Sequence, residues 1–289
     1  MIRFIIKLLS KLKILGGFNI IATSVLNTKR FRIPVIRGLG KENLDISEKW
    51  MLRIFERLLT QKQGLFIDIG VNTGQTLIKL KAIDEQRKYI GFEPNPNCVY
   101  YVQELIRANK FINVTLYPVG LADKTQLVEL NFFTTDATDS AASIIADFRR
   151  GSTVYRKEFV PCFKFSDINL SISEDIAFIK IDVEGAELEV LQGLSEILKK
   201  YRPFILIEIL PVYDLSNANR LVRQQEIERL LSELEYKILR ILKQGESEVK
   251  GFEMITEIGV HRDLNNCDYV LFPKEHFERL EINKNSLFS

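Results

Sequence analysis

Three observations predict an α/β fold in which a mostly parallel sheet is flanked by helices. Short apolar runs alternate with helical patterns between residues 65 and 210, and the runs end in polar or glycine-bearing turns. The 289 residues, 46% apolar and 27% charged, suffice for one large domain with elaborations. Strands separated by helix-length segments need crossover connections, which favour parallel neighbours with helices on the sheet faces.

The chain opens with Ile2, Ile5, Leu8, Leu9 and Leu12 on one helical face and Arg3, Lys7, Ser10 and Lys11 on the other. This basic amphipathic pattern fits either a terminal helix docked on the domain or a helix lying on a membrane surface. The first 40 residues carry eight basic side chains and no Asp or Glu, leaving 32 basic against 38 acidic residues in the rest. The uncharged run at 14–26 is shorter than the roughly 20 residues a spanning helix needs. It also contains Gly16, Gly17 and Asn19 and lacks a clean cleavage site, so neither a span nor a cleaved signal is expected. A linker rich in basic residues and turn formers follows, ending near Gly38-Leu39-Gly40. The expected division is a basic N-terminal extension, 1–45, and a domain at 46–289. The expected location is cytoplasmic, with residues 1–37 available for peripheral association with the anionic inner face of a membrane.

A helix is expected over 47–60, capped by Ser47, with Glu48 in its first turn and Met51, Ile54, Phe55, Leu58 and Leu59 as its apolar stripe. Leu65–Ile69 reads as a strand, followed by a helix from Gln75. Tyr89–Phe92 is a second strand, followed by a helix to Asn109, and Val114–Val119 is a third. Residues 126–165 break the rhythm. Leu127–Phe133 and Phe159–Phe165 read as the β segments of a hairpin-like insertion, with a mobile polar loop at 134–153. Ile176–Ile181, a helix over 184–200 and Phe204–Ile209 resume it, and a helix near 219–235 with strands near 236–242 and 268–272 completes the sheet.

The first chemical motif is Asp68-Ile69-Gly70-Val71-Asn72-Thr73-Gly74, a turn between a strand and a helix. In doubly wound sheets ligands bind beyond the carboxyl ends of the strands, and this first turn is the usual entry point. The spacing is not G-x-G-x-x-G, which a dinucleotide pyrophosphate prefers. Asp68 and Asn72 offer polar handles to a cationic, phosphate-free ligand instead. Glu93 lies 25 residues after Asp68, at the end of the next strand and before Pro94. A carboxylate there can accept hydrogen bonds from ribose hydroxyls. The third motif, Lys180-Ile181-Asp182-Val183-Glu184-Gly185-Ala186-Glu187, groups three carboxylates and a lysine at a strand end, where charges are costly unless paired or useful. For Glu184 and Glu187, helix capping remains an equal alternative.

FIDIGVNTGQT, GFEPNP, PVGLAD and FIKIDVEGAELEVLQG together resemble the FkbM family of methyltransferases over residues 64–210, and the closing DYVLFP fits as well. The resemblance implies a Rossmann-like class I methyltransferase fold and S-adenosyl-L-methionine as methyl donor. It further implies O-methylation of a sugar, glycolipid, polysaccharide or secondary metabolite. Carried over by motif, Asp68, Gly70, Asn72, Thr73 and Gly74 would line the methionine end, and Glu93 and Pro94 the ribose. Gly120, Leu121 and Asp123 would flank the adenine. Asp182 is the first choice for the base that takes the acceptor's proton, with Glu184 beside it and His261 as second choice.

A net charge of +2 argues against nucleic acid as partner. Cys98, Cys162 and Cys267 form no C-x-x-C pair, and the two histidines, His261 and His276, cannot make a His-rich site, so no disulfide framework or metal is expected. Two rivals remain: a nicotinamide-dependent oxidoreductase, and a non-catalytic binding protein on the same fold.

Overall fold

A computed structural model describes residues 2–145, 151–170 and 172–281, the last four without their side chains. The chain begins with helix α1 (Ile2–Lys11) and a hairpin of strands β1 (Asn19–Leu26) and β2 (Lys29–Ile36). Helix α2 (Trp50–Leu58), strand β3 (Leu65–Ile69), helix α3 (Gln75–Ile83), strand β4 (Tyr89–Phe92), helix α4 (Pro96–Asn109) and strand β5 (Val114–Tyr117) follow. Strands β6 (Gly120–Leu121), β7 (Gln126–Phe132) and β8 (Arg156–Phe163) form a small sheet in the order β6-β8-β7. Strand β9 (Ile176–Ile181), helices α5 (Glu187–Gly193) and α6 (Ser195–Tyr201) and strand β10 (Phe204–Glu208) return to the main sheet. Helix α7 (Ala218–Glu233), strands β11 (Tyr236–Gln244), β12 (Glu248–Ile255) and β13 (Asp268–Pro273) and helix α8 (Lys274–Glu281) finish the described chain.

The main sheet has the order β12-β11-β13-β10-β9-β3-β4-β5. Strands β10, β9, β3, β4 and β5 pair in parallel, and β13 is inserted antiparallel beside β10. The parallel strands carry nearly continuous apolar runs, broken in β3 and β9 only by Asp68 and Lys180, because helices cover both faces: every residue of these two strands is buried. The chain moves outward through β3, β4 and β5, then returns to β9 on the other side of β3. That reversal leaves a crevice past the carboxyl ends of β3 and β9, where this class of sheet binds its ligands.

Several expectations are corrected. The basic linker is the hairpin β1–β2, turned at Asn27 and Thr28, both at positive φ, with alternate residues of β1 buried. Asn tolerates this backbone better than most residues. Ser47 does not cap α2, which starts at Trp50. Its N–H and hydroxyl both donate to Gln75 Oε1, at 3.1 and 2.8 Å. The helix expected over 184–200 is two helices meeting at Leu194. Strand β5 stops at Tyr117, and β12, an edge strand, has no counterpart in the expected elements. The insertion is a hairpin, β7–β8, and residues 146–150 of its connecting loop lie outside the described residues.

Segment 1–45 is no detached extension. Ile6, Leu15, Leu26, Phe31, Ile33, Val35 and Leu44 enter the same apolar core as Trp50, Tyr101, Val102 and Leu105. Asn109 of α4 ties the hairpin on. Its Oδ1 accepts the Arg32 N–H at 2.7 Å, and its Nδ2 donates to the Arg32 carbonyl at 2.8 Å. Among the described residues no helix is long and apolar enough to cross a membrane.

Candidate functional site

Two cavities adjoin at the carboxyl ends of β3, β4 and β9. The inner one, about 140 Å³, lies between the Gly70 turn, Glu93 and the small sheet. The outer one, about 470 Å³, opens toward residues 41–48 and helix α3. Gly70, Asn72, Asp139, Ser140 and Asp182 line both.

Gly70 sits at φ +85°, and a Cβ there would lie 1.8 Å from the Asp182 carbonyl oxygen. Only glycine lets the ends of β3 and β9 approach this closely. At Gly120 a Cβ would meet Cys162 Sγ at 2.6 Å, so the absent side chain lets Cys162 of β8 pack tightly against β6 in the inner cavity's wall.

The inner lining combines apolar Phe92, Leu121, Leu130 and Ile144 with carboxylates of Glu93, Asp139, Asp182 and Glu184, and among the described residues it contains no Lys, Arg or His. Apolar walls suit a flat heterocycle. An anionic lining without a cationic side chain suits a positively charged ligand and disfavours a pyrophosphate. Glu93 is held by the N–H groups of Asn72 (to Oε2, 2.7 Å) and Asn95 (to Oε1, 2.8 Å). Burial nevertheless pushes its carboxyl up to about 7. Each oxygen keeps lone-pair capacity for a further hydroxyl donor. The chemistry of this donor set fits S-adenosyl-L-methionine, whose ammonium and sulfonium are cationic and which has no phosphate.

Asp182, at the end of β9, receives a hydrogen bond from Lys180 Nζ at 2.8 Å. Lys180 is buried, which alone would discharge it. The neighbouring carboxylates Asp182 and Asp68 outweigh that and hold its ammonium above the usual lysine range. Among the described contacts Asp182 Oδ1 is not engaged. Glu184 lines the inner cavity at φ +51°, and its carbonyl accepts the Ser143 hydroxyl at 2.6 Å. Glu187 points back to the Gly185 N–H at 2.8 Å, a capping contact at the start of α5.

Other expected residues sit behind the surface. Asp68 is fully buried and lines neither cavity. Its Oδ2 accepts the Tyr89 hydroxyl at 2.7 Å, its Oδ1 has no partner among the described residues, and burial pushes its carboxyl up to about 6. Gly74 begins α3 and packs toward Leu105 and Val102. Thr73 lines the outer cavity, and Gly120, Leu121 and Pro94 line the inner one. Asp123 lines neither and lies 3.8 Å from Lys124. His261 also lines neither. Its N–H donates to the Val212 carbonyl, and burial with nearby Arg240 lowers its ring below the ordinary histidine value, so it is not placed to act with Asp182.

Sequence reading missed the outer cavity's own charges. Lys79 is buried in α3 with its Nζ 3.5 Å from Glu48 Oε2, and burial lowers its ammonium. Lys41, Glu42, Glu48 and Asp136 complete a lining that alternates donors and acceptors. Glu208, at the end of β10, was also missed. Burial, then the charges of Asp182 and Asp268, push its carboxyl well above the usual range. A lone acid closing an apolar strand was its visible signal.

The model of the methyltransferase FkbM domain matches residues 68–238, more than half of the chain. The chain belongs to the FkbM methyltransferase family. A curated relative, methyltransferase sdnD of Sordaria araneosa, is 27% identical over 157 residues, covering 45% of this chain and 60% of that protein. The crystal structure of methyltransferase FkbM from Methylobacillus flagellatus KT shares 16% identity at a TM-score of 0.44, covering 73% of this chain and 43% of that one. The O-methyltransferase TomG of Streptomyces achromogenes, solved with its S-adenosylmethionine, shares 12% identity at 0.44, covering 77% and 79%. This chain thus spans less than two thirds of the curated relative's length.

Proposed function

We propose that the protein is an S-adenosyl-L-methionine-dependent O-methyltransferase acting on a hydroxyl of a sugar, glycolipid, polysaccharide or secondary metabolite. The observation that carries this reading is the junction of the two cavities at Asp182. On one side is an apolar and anionic chamber with no cationic side chain among the described residues of its lining; on the other, a larger chamber lined by acids, amides, hydroxyls and three lysines. Family membership supports methyl transfer, and the mixed polar lining of the outer chamber supports a hydroxyl-bearing acceptor.

When bound, the cofactor supplies a methyl group already activated by the sulfonium charge. The chain's own residues hold and orient. Phe92, Leu121 and Ile144 provide flat apolar contact, and Glu93 accepts ribose hydroxyls. A hydroxyl is a weak nucleophile while protonated, so a carboxylate at the junction must receive its proton or share it. Asp182 Oδ1 fills that role while Lys180 fixes the other oxygen and so the orientation of the group.

The test begins with thermal shift against S-adenosylhomocysteine and NAD. Stabilisation of about 2.7 kcal/mol is expected when the former is present at about 100 times its Kd, and a preference for NAD would overturn the donor assignment. Transfer onto a panel of sugar acceptors, read by mass spectrometry, then addresses chemistry. Asp182→Asn is expected to keep S-adenosylhomocysteine affinity and lose about 10²–10⁴-fold in turnover. Near-normal turnover would return Asp182 to a purely structural pairing with Lys180.

A further inference from the structure

Helix α1 turns its back on the core in an unusual way. Ile6 is buried, but Phe4 is 71% exposed, Leu8 45% and Leu12, just past the helix, 57%. These three recur every fourth residue and form one outward stripe. Lys7 and Lys11 run beside it at the i+3 position, and Lys13 follows in the turn. Lys11 and Lys13 have no ion pair among the described residues, and Lys7 has only a loose 3.9 Å approach to exposed Asp45. Exposed apolar side chains are normal singly, but a contiguous stripe flanked by unpaired cations marks an interaction surface.

The charge pattern selects the partner. The first 40 residues contain no acid, so the rim of this stripe is complementary to a dense array of negative charge with apolar material beneath it. A lipid headgroup layer has that arrangement. A helix of 10 residues is far too short to span, yet it can lie in the interface with its apolar side chains a few ångströms deep. We propose that α1 docks the protein on an anionic lipid surface, with Phe4, Leu8 and Leu12 entering the acyl boundary and Lys7, Lys11 and Lys13 meeting lipid phosphates. The segment next to α1's anchor point also shapes the site: Arg3 bonds to Asp45 at 3.1 Å, and Lys41 and Glu42, just before it, line the outer cavity. Through Arg3, the docked helix is thus tied to the segment that carries two residues of the outer cavity's lining.

The experiment is vesicle flotation of the full chain. Vesicles of phosphatidylcholine mixed with phosphatidylglycerol are expected to carry the protein, and pure phosphatidylcholine vesicles to carry far less. Added salt should release it. Lys7→Gln and Lys11→Gln are each expected to reduce partitioning about fivefold, and the double variant Phe4→Glu/Leu8→Glu to abolish it. A retained thermal shift with S-adenosylhomocysteine shows that each variant still folds. Three results would overturn the proposal: no flotation with anionic vesicles at low salt, wild-type flotation of the Phe4→Glu/Leu8→Glu variant, or a wild-type dimer that this variant splits in the absence of any lipid binding.

Discussion

Both oxygens of Glu93 already accept backbone N–H groups, from Asn72 and Asn95, so this carboxylate organises the β3 and β4 turns as well as facing the inner cavity. Burial raises it from 4.5 to about 7, which makes a pH test possible. Ribose hydroxyls donate to the ionised form, so binding below pH 7 must displace a proton. Affinity for S-adenosylhomocysteine should therefore fall as pH drops through about 7 and be flat above it. Glu93→Gln should weaken binding by about 1–3 kcal/mol at pH 8 and flatten this profile, as calorimetry across pH would show. An unchanged slope in the variant would assign the titration elsewhere, to raised carboxyls such as Asp68, Glu187, Glu42 or Glu208. The stability sign is opposite. A carboxyl whose folded value is raised keeps its proton in the folded state, so its contribution to stability declines as pH rises from 4.5 to about 7. The acids of this site were legible because strand ends are marked by apolar runs. Lys79 was not: all residues from Thr76 to Ala82 are buried, and periodicity assigns a helical lysine to solvent by default.

At the scale of elements, the parallel core was legible for a simple reason. Strands buried on both faces must be almost wholly apolar, as β3, β9 and β10 are apart from Asp68, Lys180 and Glu208 near their carboxyl ends, and the helices between them have strong boundaries such as Asn95-Pro96 at α4. The hairpin β1–β2 was illegible because three of its residues, Lys29, Arg30 and Arg32, are basic, β2 contains Pro34, and its turn is Asn-Thr rather than Asn-Gly. Residues 41–44, just after the hairpin, do more than connect. Asn43 is fully buried; its Nδ2 donates to the Thr73 carbonyl at 2.7 Å and to the Tyr101 hydroxyl at 3.1 Å, and its Oδ1 accepts the Thr73 hydroxyl at 3.3 Å. It thereby clamps the glycine turn to α4. Asn43→Leu strands these partners at about 1–3 kcal/mol each. The expected result is a melting temperature lower by roughly 10 °C, with weaker S-adenosylhomocysteine binding. A drop of no more than about 2 °C would mean that the turn holds its shape without the clamp.

For the molecule as a whole, the decisive question is whether the N-terminal segment and the methyltransferase domain are separable. The charge contrast between the first 40 residues and the rest suggests separation; the packing argues the reverse. Seven large apolar side chains from 1–45 enter the shared core, and each contributes about 1.5–3 kcal/mol by leaving water. Their sum, roughly 10–20 kcal/mol as an upper bound because the hairpin partly packs on itself, is comparable to the about 5–15 kcal/mol that keeps a whole domain folded. Truncation would also expose the core faces of α2 and α4, including Trp50 and Tyr101, now almost wholly buried. A chain starting at residue 46 is therefore expected to aggregate or to lose cooperative melting, whereas the Phe4→Glu/Leu8→Glu variant, altered only on the outward stripe, should melt like the wild type. Calorimetry on the two proteins checks this directly. A truncated chain that melts cooperatively within a few degrees of the full one would show that the domain's core closes without its N-terminal hairpin, and that the shared packing is a docking contact rather than part of the fold.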